Sequence, residues 1–284
     1  MNFLTPAEIA VSACNAGKAK TEMPIFKMIV LGILAGAYIG FGANLATKIG
    51  ATPDADTAIG VFLFGAVFSV GLMLVVIAGA ELFTGNNMAC MLSVINGQST
   101  WGGLLKNWVV VWISNFAGSL LLVFIIFYGM YWVATDPVTG AVGLSAMGAK
   151  AVGIATGKLS LTWSSAFLRG ICCNWLVCLA VWMAFAAKDI VGKIFGIFFP
   201  IMAFVSSGFE HSVANMFFIP MGMKVANAAP AAAAANVGMA PEAISSFYSY
   251  GHLMTANLIP VTLGNIVGGA IFVGCFYWIA YIRK

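Results

Sequence analysis

Two short polar stretches interrupt an otherwise apolar chain, and they hold most of the residues able to do chemistry. The first is Glu81-Leu82-Phe83-Thr84-Gly85-Asn86-Asn87. The second runs from Ser206 to Asn215 and places Glu210 beside His211. Imidazole exchanges a proton near neutral pH. Hydroxyl and carboxamide groups offer hydrogen bonds to an anion. An acid and an imidazole at membrane depth are costly, and they persist where they line a water-filled path or pair with one another. Ser206-Ser207-Gly208 makes a poor helix interior, because Gly exposes the backbone and Ser competes for its hydrogen bonds. The stretch therefore reads as a helix broken near mid-membrane, which is tolerated only inside protein or along a cavity. A lone histidine on an apolar face is more often a packing residue. Here the break, the adjacent acid and the similar site in the first half favour a functional one. Ser207 and His211 lie four residues apart on one distorted turn, a poor nucleophile–base geometry, which argues against an intramembrane hydrolase.

The elements that must hold these residues follow from composition. The chain has 284 residues, 62% hydrophobic and 8% charged, against about 25% charged in a soluble domain. It is an all-α integral membrane protein by this measure. The first residues carry Glu8 and Glu22 and no continuous apolar core, so no cleavable signal is expected. The six cysteines, at 14, 90, 172, 173, 178 and 275, fall mostly in apolar runs without metal-ligand spacing to histidine. They read as reduced core residues. No cofactor, metal, enzymatic activity or nucleic-acid partner is expected.

Residues 1–26 form a leading segment, with Thr5-Pro6-Ala7-Glu8 as a capping box that starts a short helix. That helix is expected to lie at the membrane surface or to cover the cytoplasmic mouth. Residues 27–284 form the transmembrane domain, with six spans. They are Lys27 to Thr47, Ala58 to Ala80, Leu104 to Ala134, Leu161 to Ala187, a broken fifth span, and Thr255 to Tyr281. Apolar character resumes after the first polar stretch from Met88 to Ile95. A loop with Asp136-Pro137, Lys150 and Lys158 joins the halves, and Ala226 to Pro241 reads as a linker or loose helix. Arg169, inside the fourth span, reads as structural. Lys18, Lys20, Lys27, Lys106, Lys188, Lys193, Arg283 and Lys284 fall on the side of the termini, against Lys48, Lys150, Lys158 and Lys224 on the other. The bias puts both termini in the cytoplasm.

The halves resemble each other. Gly79-Ala80-Glu81 and Gly208-Phe209-Glu210 open the two polar stretches. Asn107, Asn115 and Gly118 recur as Asn257, Asn265 and Gly268, while Gly32 and Gly36 align with Gly170 and Asn174. Three spans per half require an inverted 3+3 repeat, over residues 27–134 and 161–282. Paired broken helices then place a permeation site at the midplane, with Thr84 and His211 on opposite sides of one pore. Phe68, Leu72 and Phe204, near the breaks, become candidate constrictions.

Gly-Phe-Glu-His-Ser-Val-Ala-Asn-Met at 208–216 resembles the signature of the formate–nitrite transporter family. Gly-Ala-Glu-Leu-Phe-Thr at 79–84, Lys-Asn-Trp at 106–108, Cys-Leu-Ala-Val-Trp-Met at 178–183 and the Asn-Leu-Ile-Pro run at 257–269 also match its pattern. The resemblance implies an aquaporin-like protomer with two broken helices, a homopentamer with one pore per protomer, and location in the inner membrane. It places the pore histidine at His211, its facing threonine at Thr84, the vestibule lysine at Lys158 and pore asparagines at Asn174 and Asn215. The constriction falls on Phe68 and Leu72 on one side and Phe204 on the other, with Glu210 and Glu81 as supporting acids.

A bare anion entering an apolar constriction meets a penalty of tens of kcal/mol in the Born limit. The mechanism expected is that Lys158 draws the anion in and His211 supplies a proton or strong hydrogen bond, with Thr84 and Asn174 as further donors. Formate is the expected permeant, and nitrite and hydrosulfide are the alternatives within the same family. A water or glycerol channel would show paired Asn-Pro-Ala motifs, which the sequence lacks. An ammonium channel would not present a lysine at its mouth.

Overall fold

In lipid each backbone polar group must find its partner inside the segment, so long apolar runs become helices. The computed structural model describes residues 3–130 and 132–283. Helix α1 (Pro6–Thr21) begins at the Thr5–Glu8 capping box. It is followed by α2 (Ile25–Ile49) and α3 (Ala58–Gly79), then the short α4 (Phe83–Ile95) and α5 (Trp101–Gly129). Strands β1 (Val133–Thr135) and β2 (Val142–Leu144) form a hairpin, and α6 (Ala146–Leu159) follows it. The second half continues with α7 (Trp163–Ala186), α8 (Ile190–Ser206), α9 (Ser212–Ala228), α10 (Pro230–Val237) and α11 (Tyr250–Tyr281). Among the described residues α2, α3, α5, α7 and α11 are long and apolar enough to cross a membrane, and α8 is a shorter apolar helix. Thr57, Thr100, Ser145, Thr162 and Asp189 each accept a first-turn amide, the role for which short oxygen-bearing side chains are favoured at helix starts.

Two places depart from helix, both at the polar stretches. The last turn of α3 widens to a π-helix over Leu74–Gly79, Gly79 turns with φ 90°, and Ala80 is fully extended. Between α8 and α9, Gly208 turns with φ 69° and His211 is extended. A side chain at either glycine would be strained, because L residues disfavour positive φ. Close packing fixes the frame around these breaks. A Cβ on Gly36 of α2 would stand 2.0 Å from the Asn115 carbonyl oxygen of α5, and one on Gly264 of α11 would stand 2.1 Å from the Phe167 carbonyl oxygen of α7. Small residues at these crossings let the backbones touch.

Two stretches differ from the sequence expectation, and a third takes one of the two forms expected for it. The third span ends at Gly129, not Ala134. Val133 pairs with Leu144 across an antiparallel hairpin, so a small strand pair joins the helices. Asp136 Oδ1 accepts from the amides of Val138 and Thr139, both at 2.8 Å, and Gly140 turns with φ 69°. That turn chemistry lets the two strands meet. Lys158 does not lie in a loop but in the last turn of the 14-residue α6. The Ala-rich stretch forms the end of α9 and all of α10, capped by Gly238 in the left-handed conformation, because alanine has the highest intrinsic helix propensity. Lys284, counted above among basic residues near the termini, lies outside the described residues.

Candidate functional site

The breaks leave backbone groups without helical partners, and buried asparagines supply them. Asn115 Nδ2 donates to Gly32 O at 2.8 Å and Glu81 O at 2.9 Å, and its Oδ1 accepts from Phe83 N at 3.0 Å. Asn265 does the same in the second half, donating to Gly170 O at 2.8 Å and Glu210 O at 2.9 Å and accepting from Ser212 N at 2.9 Å. Both asparagines are fully buried. Each break is thus stitched to its neighbouring helices, which is what non-helical backbone at membrane depth needs.

The acids are held in matching fashion. Lys20 Nζ of α1 meets Glu81 Oε1 at 2.7 Å, and Lys158 Nζ of α6 meets Glu210 Oε1 at 2.8 Å. Asn86 Nδ2 bridges Glu81 Oε2 and Asn107 Oδ1, while Asn107 Nδ2 returns to Lys20 O. Asn215 Nδ2 bridges Glu210 Oε2 and Asn257 Oδ1, while Asn257 Nδ2 returns to Lys158 O. The two networks agree in these bonds, and Asn257 Nδ2 makes one more, to Glu210 Oε2 at 3.3 Å. Charges that are both paired and hydrogen-bonded are the form in which carboxylates survive burial.

The halves differ at the residue after each glutamate, Leu82 in the first and His211 in the second. Thr84 Oγ1 lies 2.8 Å from His211 Nε2. His211 Nδ1 accepts from Ala214 N at 3.0 Å, so that nitrogen carries no proton. The neutral ring is the Nε2–H tautomer, and it donates to the Thr84 hydroxyl. The Thr84 O–H remains as a donor.

One cavity reaches this hydrogen bond at His211, a second is lined by Leu82 and Gly85, which flank Thr84 in the chain, and no residue lines both. One, of about 310 Å³, is lined by Lys158, Glu210, Asn215 and His211 together with Phe68 and Phe204. The other, of about 420 Å³, is lined by Lys20, Glu81 and Asn86 together with Leu72 and Leu82. The Phe68 and Phe204 rings meet edge to face at 5.8 Å, and Phe204 lies 5.8 Å from the imidazole. This geometry corrects the expected grouping. Phe68 and Phe204 share the Lys158 side, and Leu72 lies on the Lys20 side with Leu82. On α3 the two residues are separated by a full helical turn along the axis, enough to put them in different cavities.

Of the sequence candidates, His211, Thr84, Glu210, Asn215 and Lys158 come together, and Glu81 anchors the counterpart network. Asn174 is buried beside Thr84 but spends its amide elsewhere. Nδ2 donates to Thr84 O at 3.1 Å, Asn87 Oδ1 at 3.2 Å and Asn265 O at 2.7 Å. It positions Thr84 and has no N–H left for an anion, contrary to the donor role expected for it. Lys158 is likewise paired, not a free vestibule charge. Sequence reasoning missed Lys20, Asn86, Leu82 and the roles of Asn107, Asn115, Asn257 and Asn265. The eight-residue spacing within each of the two pairs, Asn107/Asn115 and Asn257/Asn265, was the available signal.

Comparison with known proteins matches the formate/nitrite transporter family model over residues 7–279. A probable formate transporter of Methanothermobacter thermautotrophicus is 45% identical, the match covering 100% of this chain and 99% of the relative. The formate channel FocA of Escherichia coli K12 is 37% identical over 100% of this chain and 96% of its own. A solved pentameric formate channel with formate bound aligns with a TM-score of 0.75 at 38% identity, covering 91% of this chain and 98% of the other.

Proposed function

This chain belongs to the formate/nitrite transporter family, and from that premise we propose a multi-pass membrane channel for formate and related small monovalent anions, working as a homopentamer. The observation that carries the pore assignment is the Thr84–His211 hydrogen bond, with one cavity at His211 beside Lys158 and another at Leu82 and Gly85 beside Lys20. Formate enters one cavity and sheds water between the Phe68 and Phe204 rings. Its oxygens then take the Thr84 O–H and His211 Nε2–H in place of the bond these two groups make to each other. The exchange keeps both buried groups hydrogen-bonded while the anion passes. His211 acts first as a hydrogen-bond donor. Full proton donation requires a second ring proton, and Nδ1 gains room for one only when the Ala214 amide lets go.

The matched networks support two inverted repeats facing each other across the pore, with α1 and α6 as equivalent lysine carriers. The basic residues near the termini support cytoplasmic ends and an inner-membrane location. The family and its solved relatives are channels and transporters, so no catalytic step is assigned. Radiolabelled formate uptake into proteoliposomes tests the function, with nitrite, hydrosulfide, ammonium and water as competitors or alternatives. Formate entering fastest supports it. Nitrite or hydrosulfide outrunning formate about tenfold at equal concentration would overturn the substrate while leaving the pore intact.

A further inference from the structure

The two networks match so closely that the places where they differ stand out, and one of those differences is a charge. Glu81 N donates to Leu31 O at 3.2 Å, and Glu210 N donates to Arg169 O at 3.3 Å. Leu31 and Arg169 therefore occupy equivalent positions beside the two glutamates. Leu31 lines the Lys20 cavity and Arg169 lines the Lys158 cavity. In the first cavity the charged lining is the pair Lys20–Glu81, formally neutral. In the second it is the pair Lys158–Glu210 plus Arg169. Arg169 is exposed, and the ion pairs among the described residues do not include it. A guanidinium keeps its charge at any working pH, and its planar fork fits the two oxygens of a carboxylate.

We propose that Arg169 makes the Lys158 vestibule the anion-collecting end of the pore, by giving it one positive charge that the Lys20 vestibule lacks. The proposal rests on the anion-channel function above. A single charge in a cleft with low-dielectric walls concentrates counter-ions there. In a passive pore the ratio of maximal flux to half-saturating concentration is the same in both directions. The asymmetry must then show in the half-saturating concentration itself, which is lower at the Lys158 face.

The test uses full-length protein in membrane vesicles of the two orientations, sorted by access to an N-terminal tag, with initial formate entry measured from each face. At low ionic strength half-saturation from the Lys158 face should be about two- to tenfold lower than from the other face. The difference should shrink in about 0.5 M impermeant salt, where screening acts within a few ångströms. Arg169→Leu should bring the two faces together, Arg169→Lys should keep them apart, and Leu31→Arg should lower half-saturation at the Lys20 face. Should Arg169→Leu fail to assemble, Arg169→Gln and the salt titration of the unmodified protein read the same quantity. Equal half-saturation at both faces, or an asymmetry that survives Arg169→Leu, overturns this proposal and leaves the channel function standing. No formate entry from either face overturns the function and this proposal with it.

Discussion

Thr84 and His211 are 127 residues apart in the chain and 2.8 Å apart in space, and their hydrogen bond joins the two halves of the molecule at the proposed pore. Deleting the hydroxyl with Thr84→Val leaves a buried imidazole N–H without its acceptor, a loss of about 1–3 kcal/mol for a buried unsatisfied group. Formate flux through proteoliposomes should fall while size-exclusion chromatography still reports the intact oligomer. A rate equal to the unmodified protein would place Thr84 outside the path.

His211→Phe keeps an aromatic ring beside Phe204 and removes both nitrogens. The structure sets one expectation for single-channel recording in formate. Conductance should drop, because the substitute offers no N–H to the anion. A conductance that survives the substitution would remove His211 from the mechanism.

Lys158 and Glu210 must be tested together. Lys158→Ala leaves a glutamate whose side chain is 4% exposed without its cation, and breaking a buried pair costs about 3–5 kcal/mol. The single variant should melt well below the parent in detergent, and Lys158→Ala with Glu210→Gln should recover much of that loss. Single and double variants of equal stability would mean that the ion pair is not what holds this break.

Asn115→Ala and Asn265→Ala remove equivalent sets of three hydrogen bonds from the two breaks. Each leaves buried backbone groups unpaired at about 1–3 kcal/mol apiece, so both should lower the melting temperature, and by similar amounts. A large effect at one site and none at the other would argue against the equivalence of the two halves.

Much of this site is legible before any coordinates. Glu81, Thr84, Glu210 and His211 stand out because polar groups inside apolar runs are costly, and the glycines beside them mark where a helix must stop. Lys20 is harder to find. It lies on a short helix outside the spans, and nothing in its local sequence says that α1 folds back to reach Glu81. Lys158 looked like a loop residue because α6 is mixed in character and only tertiary packing shows which face it buries. Asn174 had the right type and depth for an anion donor. Only the directions of its amide hydrogens, toward Thr84, Asn87 and Asn265, show that the protein itself uses them. Spacing likewise located Phe68 and Leu72 but not the boundary between cavities that separates them.

The breaks have one more effect. Helices α4 and α9 both begin at a break, with Phe83 and Ser212 as their first residues. The peptide dipoles of a helix sum to about half a positive charge at its start. Two such starts flank the Thr84–His211 hydrogen bond and add a positive backbone field to the proposed path, beside the paired carboxylates of Glu81 and Glu210. Unlike lysine or arginine, this field has no proton to lose. It is set by where the backbone stops being helical, and a change that let either break continue as regular helix would erase it.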